Sequence, residues 1–77
     1  MTPNARAALK DLVAQIGAYQ EREGMTDTAL AAELGIPRST WSAIRLGLAS
    51  YRPGLNFASR LARVPRFKDA AMKVLTS

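Results

Sequence analysis

The chain has 77 residues, with 11 Lys and Arg against 6 Asp and Glu, 48% hydrophobic residues, and neither His nor Cys. This length and composition suit one small globular domain, and the lack of Cys and His excludes disulfides, thiolate zinc sites and the commonest general base. We therefore expect a single domain over residues 1–77 that is not an enzyme and holds no metal and no cofactor, while its positive charge favours an anionic partner.

The first predicted helix covers residues 4–23. Thr2 is placed to cap it, Pro3 suits its first turn, and Gly24 is placed to end it. Its apolar residues recur every three or four positions, as on one face of a helix. The positions of this face are Ala5, Ala8, Leu9, Leu12, Val13, Ile16 and either Tyr19 or Gln20.

Two short helices separated by a tight turn are predicted next. The first covers residues 27–34, with Thr26 as its N-cap and Gly35 after its last residue. The second covers about residues 37–46 and is ended by Gly47.

The last third of the chain is read as a loop followed by two more helices. Residues 48–52 are the loop, and a Pro-Gly pair follows it. The buried face of the fourth helix is predicted to be Leu55, Ala58, Leu61 and Ala62, and that of the fifth, which begins at Pro65, to be Phe67, Ala70, Ala71, Val74 and Leu75. Because no segment alternates apolar and polar residues as a strand does, the predicted fold class is all-α, a compact bundle of about five helices.

The positive charge is concentrated in one part of the chain, residues 34–68, which we call the basic stretch. It holds six Arg and one Lys and no acidic residue, whereas residues 1–33 hold three basic and five acidic residues. A concentrated basic field is typical of a protein that binds a polyanion. Arg suits this role because its planar fork can grip phosphate or guanine with two hydrogen bonds.

The spacing over residues 26–47 is that of a helix-turn-helix. Ala31 is small where the following helix would cross, and Gly35 allows the positive φ of the turn. The predicted core of this unit is Leu30, Ala31, Leu34, Gly35, Ile36, Trp41 and Ile44. The outward face of the following helix is small and polar, so that a groove of DNA can approach it closely. This face consists of Arg38, Ser39, Ser42, Ala43 and Arg45, with Thr40 at its edge.

At these residues the sequence resembles the helix-turn-helix family of phage Cro proteins and lysogeny repressors. The positions that match the family pattern, in order and without gaps, are Thr26, Leu30, Ala31, Leu34, Gly35, Ile36, Thr40, Ser42, Ile44 and Gly47. A weaker likeness continues to the Leu61-Ala62 pair, so that the resemblance covers about residues 10–64.

The resemblance implies a homodimer that binds a short, near-palindromic operator in duplex DNA, with the third helix in the major groove. The positions of base readers are then Arg38, Ser39 and Ala43, and Arg38 would grip guanine O6 and N7. The predicted contacts to the DNA backbone are Thr40, Ser42, Arg45, Arg52, Arg60 and Arg63. We expect no small-molecule ligand, because the five helices leave no residues for an effector domain.

Three residues depart from the family pattern. Asp27 stands where the family often has a Gln that helps to clamp a phosphate, and a carboxylate would repel that phosphate, so we interpret Asp27 as a helix-capping residue. Trp41 replaces a β-branched residue and needs more room in the core. Arg45 replaces a Glu and makes the end of the third helix more basic.

The leading hypothesis is a Cro-like transcriptional regulator that acts as a repressor, and two other hypotheses stay open. A protein-binding module of the antitoxin or anti-repressor type would expose an apolar surface around Leu48, Tyr51, Phe67 and Val74. The third hypothesis is a DNA-binding accessory protein without sequence preference, and the basic stretch fits it as well as it fits the regulator. For single residues, the alternatives are that Trp41 stacks on a base and that Arg38 is a solvated surface charge.

The sequence offers no membrane signal. No apolar run is long enough to span a bilayer, and no basic segment followed by an apolar one begins the chain. Pro and Gly interrupt the basic stretch, which disfavours an amphipathic helix on a membrane surface. We therefore expect no membrane partner and a cytoplasmic location. The resemblance to phage Cro proteins and repressors implies a prokaryotic host cell, with the protein in its cytoplasm or nucleoid.

Overall fold

A computed structural model describes residues 2–47 and 53–77, and this part of the chain forms five α-helices and no strand. The helices are α1 (Pro3–Glu23), α2 (Asp27–Leu34), α3 (Arg38–Leu46), α4 (Leu55–Leu61) and α5 (Lys68–Thr76), and a 3₁₀ turn, Pro65–Phe67, leads into α5. The predicted all-α class is confirmed. The loop expected over residues 48–52, with Tyr51 and the predicted phosphate contact Arg52, lies outside the described residues.

The first two helices begin at residues that the sequence identifies as N-caps. The Oγ1 of Thr2 accepts a hydrogen bond from the backbone N–H of Ala5 at 3.0 Å, and the Oγ1 of Thr26 accepts one from Ala29 at 3.1 Å. Each bond satisfies a backbone donor that the first turn of a helix leaves unpaired. The two predicted N-caps are therefore confirmed.

The core lies where α5 packs along α1 and α4, and it continues into the pair formed by α2 and α3. Its buried side chains are Leu9, Leu12, Ile16, Tyr19, Leu30, Ala31, Leu34, Trp41, Ile44, Phe57, Ala58, Leu61, Phe67, Ala71 and Val74. Trp41 is fully buried, which confirms its predicted role as a core residue. Apolar burial of this kind is the main force that stabilises so small a domain.

The buried face of α4 differs from the predicted one. Phe57 is buried together with Ala58 and Leu61, whereas Leu55 is 53% exposed. A helix of only seven residues with several apolar positions offers two similar faces, and the large Phe ring decides between them because it buries more apolar surface. The fifth helix also begins later than predicted, because residues 65–67 form the 3₁₀ turn.

The apolar surface expected of a protein-binding module is not formed at Phe67 and Val74. Both side chains are buried, and the Phe67 ring meets the edge of the Tyr19 ring with centroids 5.6 Å apart. Both belong to the core because the end of the chain folds back along α1. The large apolar side chains that are exposed in the described part of the chain are Leu46, Leu55 and Met72.

Candidate nucleic-acid interface

The helices α2 and α3 form one packed unit around a turn of three residues, 35–37. Gly35 takes a left-handed conformation with φ +73°, and the N–H of Ile36 returns to the carbonyl of Ala31 at 3.0 Å. The carbonyl of Pro37 then accepts the N–H of Trp41, which begins α3. These two hydrogen bonds pair backbone groups at the end of α2 and at the start of α3. They also set the direction in which α3 leaves the turn.

The predicted core of the α2–α3 unit is largely found where the sequence places it. Leu30, Ala31, Leu34, Trp41 and Ile44 are buried, Ile36 is half-buried, and Gly35 is exposed at the turn. Trp41 and Ile44 form the apolar side of α3 and are buried in the core. The opposite side of α3 therefore faces outward.

The fully buried indole of Trp41 has one polar atom, and α1 supplies its partner. The Nε1–H of Trp41 donates to Oε1 of Gln20 at 3.0 Å. The amide nitrogen of Gln20 in turn donates to the carbonyl of Met25 at 3.2 Å and to Oδ1 of Asp27 at 2.7 Å. One side chain at the end of α1 therefore connects the middle of α3 with the start of α2.

Asp27 is not a capping residue, because the cap is Thr26 and the Asp27 carboxylate reaches across to α3. It accepts the Ser42 hydroxyl at 2.9 Å and two N–H groups of Arg45, Nε at 3.1 Å and Nη2 at 2.9 Å. The hydrogen bonds from Arg45, Gln20 and Ser42, in this order, lower the pKa of Asp27 from 3.8 to about 2. Asp27 therefore stays ionised in any neutral buffer and joins the two helices.

The outward side of α3 carries the predicted base readers. Arg38 and Ser39 are exposed, and Ala43 is half-buried. Ser39 and Ala43 lie one turn apart on the same strip of the helix, which continues to the exposed Leu46. Arg38 lies on the neighbouring strip with Ser42 and Arg45. The three predicted readers therefore share one side of α3.

A groove of about 710 Å³ runs beside the start of α3. It is lined by the α2–α3 turn, by Thr40, and by residues of α4 and its end, among them Asn56, Ser59, Arg60 and Arg63. Arg60 donates through Nη1 to the carbonyl of Gly35 at 2.7 Å. The side chains of Arg60 and Arg63 are both exposed. Two predicted phosphate contacts therefore lie next to the turn from which α3 begins.

Arg66 is a cation of the basic stretch that makes contacts within the fold. Its guanidinium lies 4.4 Å from the centre of the Tyr19 ring and 3.9 Å from a carboxylate oxygen of Glu33. The Tyr19 hydroxyl donates to Glu33, and burial followed by this hydrogen bond raises the pKa of Tyr19. This cluster joins α1, α2 and the 3₁₀ turn, so Arg66 serves in the fold.

The sequence did not identify Gln20 and Glu33 as important residues. A buried Trp requires an acceptor for its N–H, so a polar partner was to be expected, but this requirement does not say on which helix the partner lies. For Glu33 the only signal in the sequence was the distribution of charge. The two acidic residues of α2 precede a stretch that has basic residues and no acidic ones, so each could pair with an arginine there. The distances between these partners along the chain hide them from local pattern reading.

The sequence matches no protein-family model, and comparisons with curated proteins and with solved structures find no match either. Within the described residues, none of the helices is both long enough and apolar enough to cross a membrane.

Proposed function

We propose that this protein is a sequence-specific transcriptional regulator that binds duplex DNA and acts by occupying an operator. The observation that carries the proposal is the outward side of α3, where Arg38 and Ser39 are exposed on a helix anchored from behind by Trp41. The likeness of residues 26–47 to the Cro and repressor family supports interpreting α2, the turn and α3 as a helix-turn-helix.

In this proposal α3 lies in the major groove. Ser39 and Ala43 are small, which allows the helix to approach the base edges closely. Arg38 is long enough to reach past them and matches the O6 and N7 acceptors of guanine. Sequence preference therefore depends mainly on Arg38, and the small residues define which base pairs lie next to it.

In this proposal the phosphate contacts come from the rim of the protein's own groove, which lies beside the start of α3. Arg63 and Thr40 line that rim, and Arg60 lies with them. Arg60 donates one N–H to the Gly35 carbonyl, and a guanidinium has several more donors that can meet a phosphate. Contacts of this kind supply affinity without sequence preference and make binding salt-dependent.

The operator in this proposal is near-palindromic and is bound by a homodimer, because one α3 reads only half of such a site. The bound dimer blocks access of polymerase by steric exclusion, in the cytoplasm of a prokaryotic cell. No catalytic step and no cofactor enter this mechanism.

Fluorescence anisotropy with a labelled mixed-sequence duplex, between about 50 and 200 mM salt, tests the proposal. We expect binding that weakens steeply with salt and that an unlabelled single strand of the same length competes for poorly. Equal competition by the single strand would contradict duplex recognition. Binding of no nucleic acid at low salt would contradict the proposal and favour the protein-binding module.

A further inference from the structure

The carboxylate of Asp27 is saturated by partners from its own chain. It accepts four hydrogen bonds, from Gln20, Ser42 and both Nε and Nη2 of Arg45. An ionised carboxylate can accept about four such bonds. Its position is therefore fixed from two sides, by α1 through Gln20 and by α3 through the other two residues.

The same contacts fix Arg45 and cancel its charge. Nε faces Oδ1 and Nη2 faces Oδ2, at 3.1 and 2.9 Å, which is the paired arrangement that a guanidinium also makes with phosphate. The Asp27 side chain is 17% exposed and that of Arg45 is 42% exposed. Asp27 thus occupies the edge of Arg45 with which an arginine grips phosphate best.

We propose that Asp27 withholds Arg45 from the phosphates of DNA, so that Arg45 positions α3 and contributes nothing to the salt-dependent affinity. This inference rests on the proposed function and revises one predicted contact of the interface. It divides the cations of α3 by role, with Arg38 reading bases and Arg45 holding the helix on α2.

An exchange of partners on DNA is unfavourable for a physical reason. If Arg45 turned to a phosphate, Asp27 would lose two of its four hydrogen bonds. It would then be an uncompensated carboxylate close to the phosphate that had taken its partner. The lost hydrogen bonds and the unpaired carboxylate both oppose the exchange. The free energy gained from one phosphate contact is smaller than the cost of leaving the Asp27 carboxylate without its partner.

The test is a cycle of four proteins, the wild type, R45Q, D27N and the D27N/R45Q double variant, measured on one mixed-sequence duplex at several salt concentrations. In the wild-type background R45Q should leave the slope of log affinity against log salt unchanged. In the D27N background Arg45 is released, so the slope steepens by about one unit, and R45Q removes that gain. A slope that falls by about one unit for R45Q alone would overturn the inference.

D11N is the matched control. Asp11 is an exposed carboxylate of α1 whose side chain accepts a hydrogen bond from Gln15. D11N changes the net charge by the same amount as D27N but releases no arginine. The slope of log affinity against log salt for D11N should therefore equal that of the wild type. A slope for D11N as steep as that for D27N would overturn the inference, since net charge alone would then explain the change.

A second measurement covers the case in which R45Q does not fold, as judged by circular dichroism. In the wild type, the Nε–H resonance of Arg45 is followed by NMR while the duplex is added. An unchanged resonance supports the inference, and a shift that saturates with the DNA overturns it. If neither the wild type nor D27N binds any duplex at low salt, the proposed function fails as well, a result distinct from binding with equal slopes.

Discussion

The indole Nε1 of Trp41 donates to Oε1 of Gln20 at 3.0 Å, and this one bond joins the centre of α3 to the last turn of α1. Trp41 is fully buried, so its N–H has no access to water. The bond therefore holds the indole in one position, and it acts together with the burial of Ile44 and the contact between Asp27 and Arg45. These contacts together leave the opposite side of α3 facing outward.

Replacing Gln20 by Ala should destabilise the fold, because the buried indole N–H then has no partner. We expect a loss of about 1–3 kcal/mol in the free energy of unfolding, measured by urea denaturation followed by circular dichroism. Gln15→Ala on the same helix is the control, since Gln15 is exposed and bonds to the exposed Asp11. It should change the stability by less than about 0.5 kcal/mol. Equal losses in the two variants would contradict the role of Gln20.

Two glycines should respond to alanine with opposite signs. Gly35 has φ +73°, where an L side chain is strained, so Gly35→Ala should lower the unfolding free energy by about 1–2 kcal/mol. Gly17 lies within α1 with no atom near an added Cβ, so Gly17→Ala should raise it by about 0.5–1 kcal/mol. Urea denaturation of both variants checks the pair. A stabilised Gly35→Ala variant would show that the turn between α2 and α3 is not left-handed.

Acid should remove the stabilisation that Asp27 provides. Its pKa is lowered from 3.8 to about 2 by its partners in the folded state, so this stability is present above pH 3.8 and is lost as the pH falls through about 2. We expect the wild type to be more stable than D27N at neutral pH and the difference to shrink over that acid range. Unfolding curves of both proteins at several pH values measure it. A difference that stays constant down to pH 2 would contradict the ion pair with Arg45.

Arg38→Ala should relax sequence preference at one base pair of each half-site. The loss on the preferred sequence is expected to be about 1–3 kcal/mol, because a bidentate contact to guanine is removed. Affinities for a set of single-base operator variants measure it, with Arg6→Ala on α1 as the control that removes a cation away from α3. A variant that keeps the wild-type order of preference at every position would remove Arg38 from the list of base readers.

Arg60 and Arg63 should be separable by stability even where they act alike on DNA. Each Ala variant is expected to weaken all sequences equally and to lower the salt slope by about one unit. Arg60→Ala should also cost about 0.5–1.5 kcal/mol of stability, because Nη1 no longer donates to the Gly35 carbonyl. Arg63→Ala should leave the unfolding curve unchanged. An altered base preference in either variant would show that these residues read sequence.

Local signals account for the parts of the fold that could be predicted. Thr2 and Thr26 cap helices through backbone groups three residues away, and helix ends at Gly24 and Gly35 need only the left-handed conformation that glycine adopts readily. Trp41 could be placed in the core because its spacing to Ile44 fits one helix face. Such features depend on a few neighbouring residues, which a sequence displays directly.

The parts that could not be predicted depend on contacts between distant residues. Asp27 and Arg45 are 18 positions apart, and Trp41 and Gln20 are 21 apart. Nothing near Asp27 distinguishes a cap from a bridge, because both place a carboxylate at the start of α2. The exposed Leu55 shows the same limit, since only the packing of α4 against α5 selects which apolar residues it buries.

Selection of bound sequences from a random duplex pool, at near-physiological salt, tests the central claim most directly. We predict enrichment of a near-palindrome with its half-sites about one helical turn apart, as two copies of α3 on one side of the duplex would require. Arg38→Ala in the same selection should lose one base of each half-site. Binding with no enriched sequence would contradict sequence-specific regulation and favour an accessory DNA-binding protein.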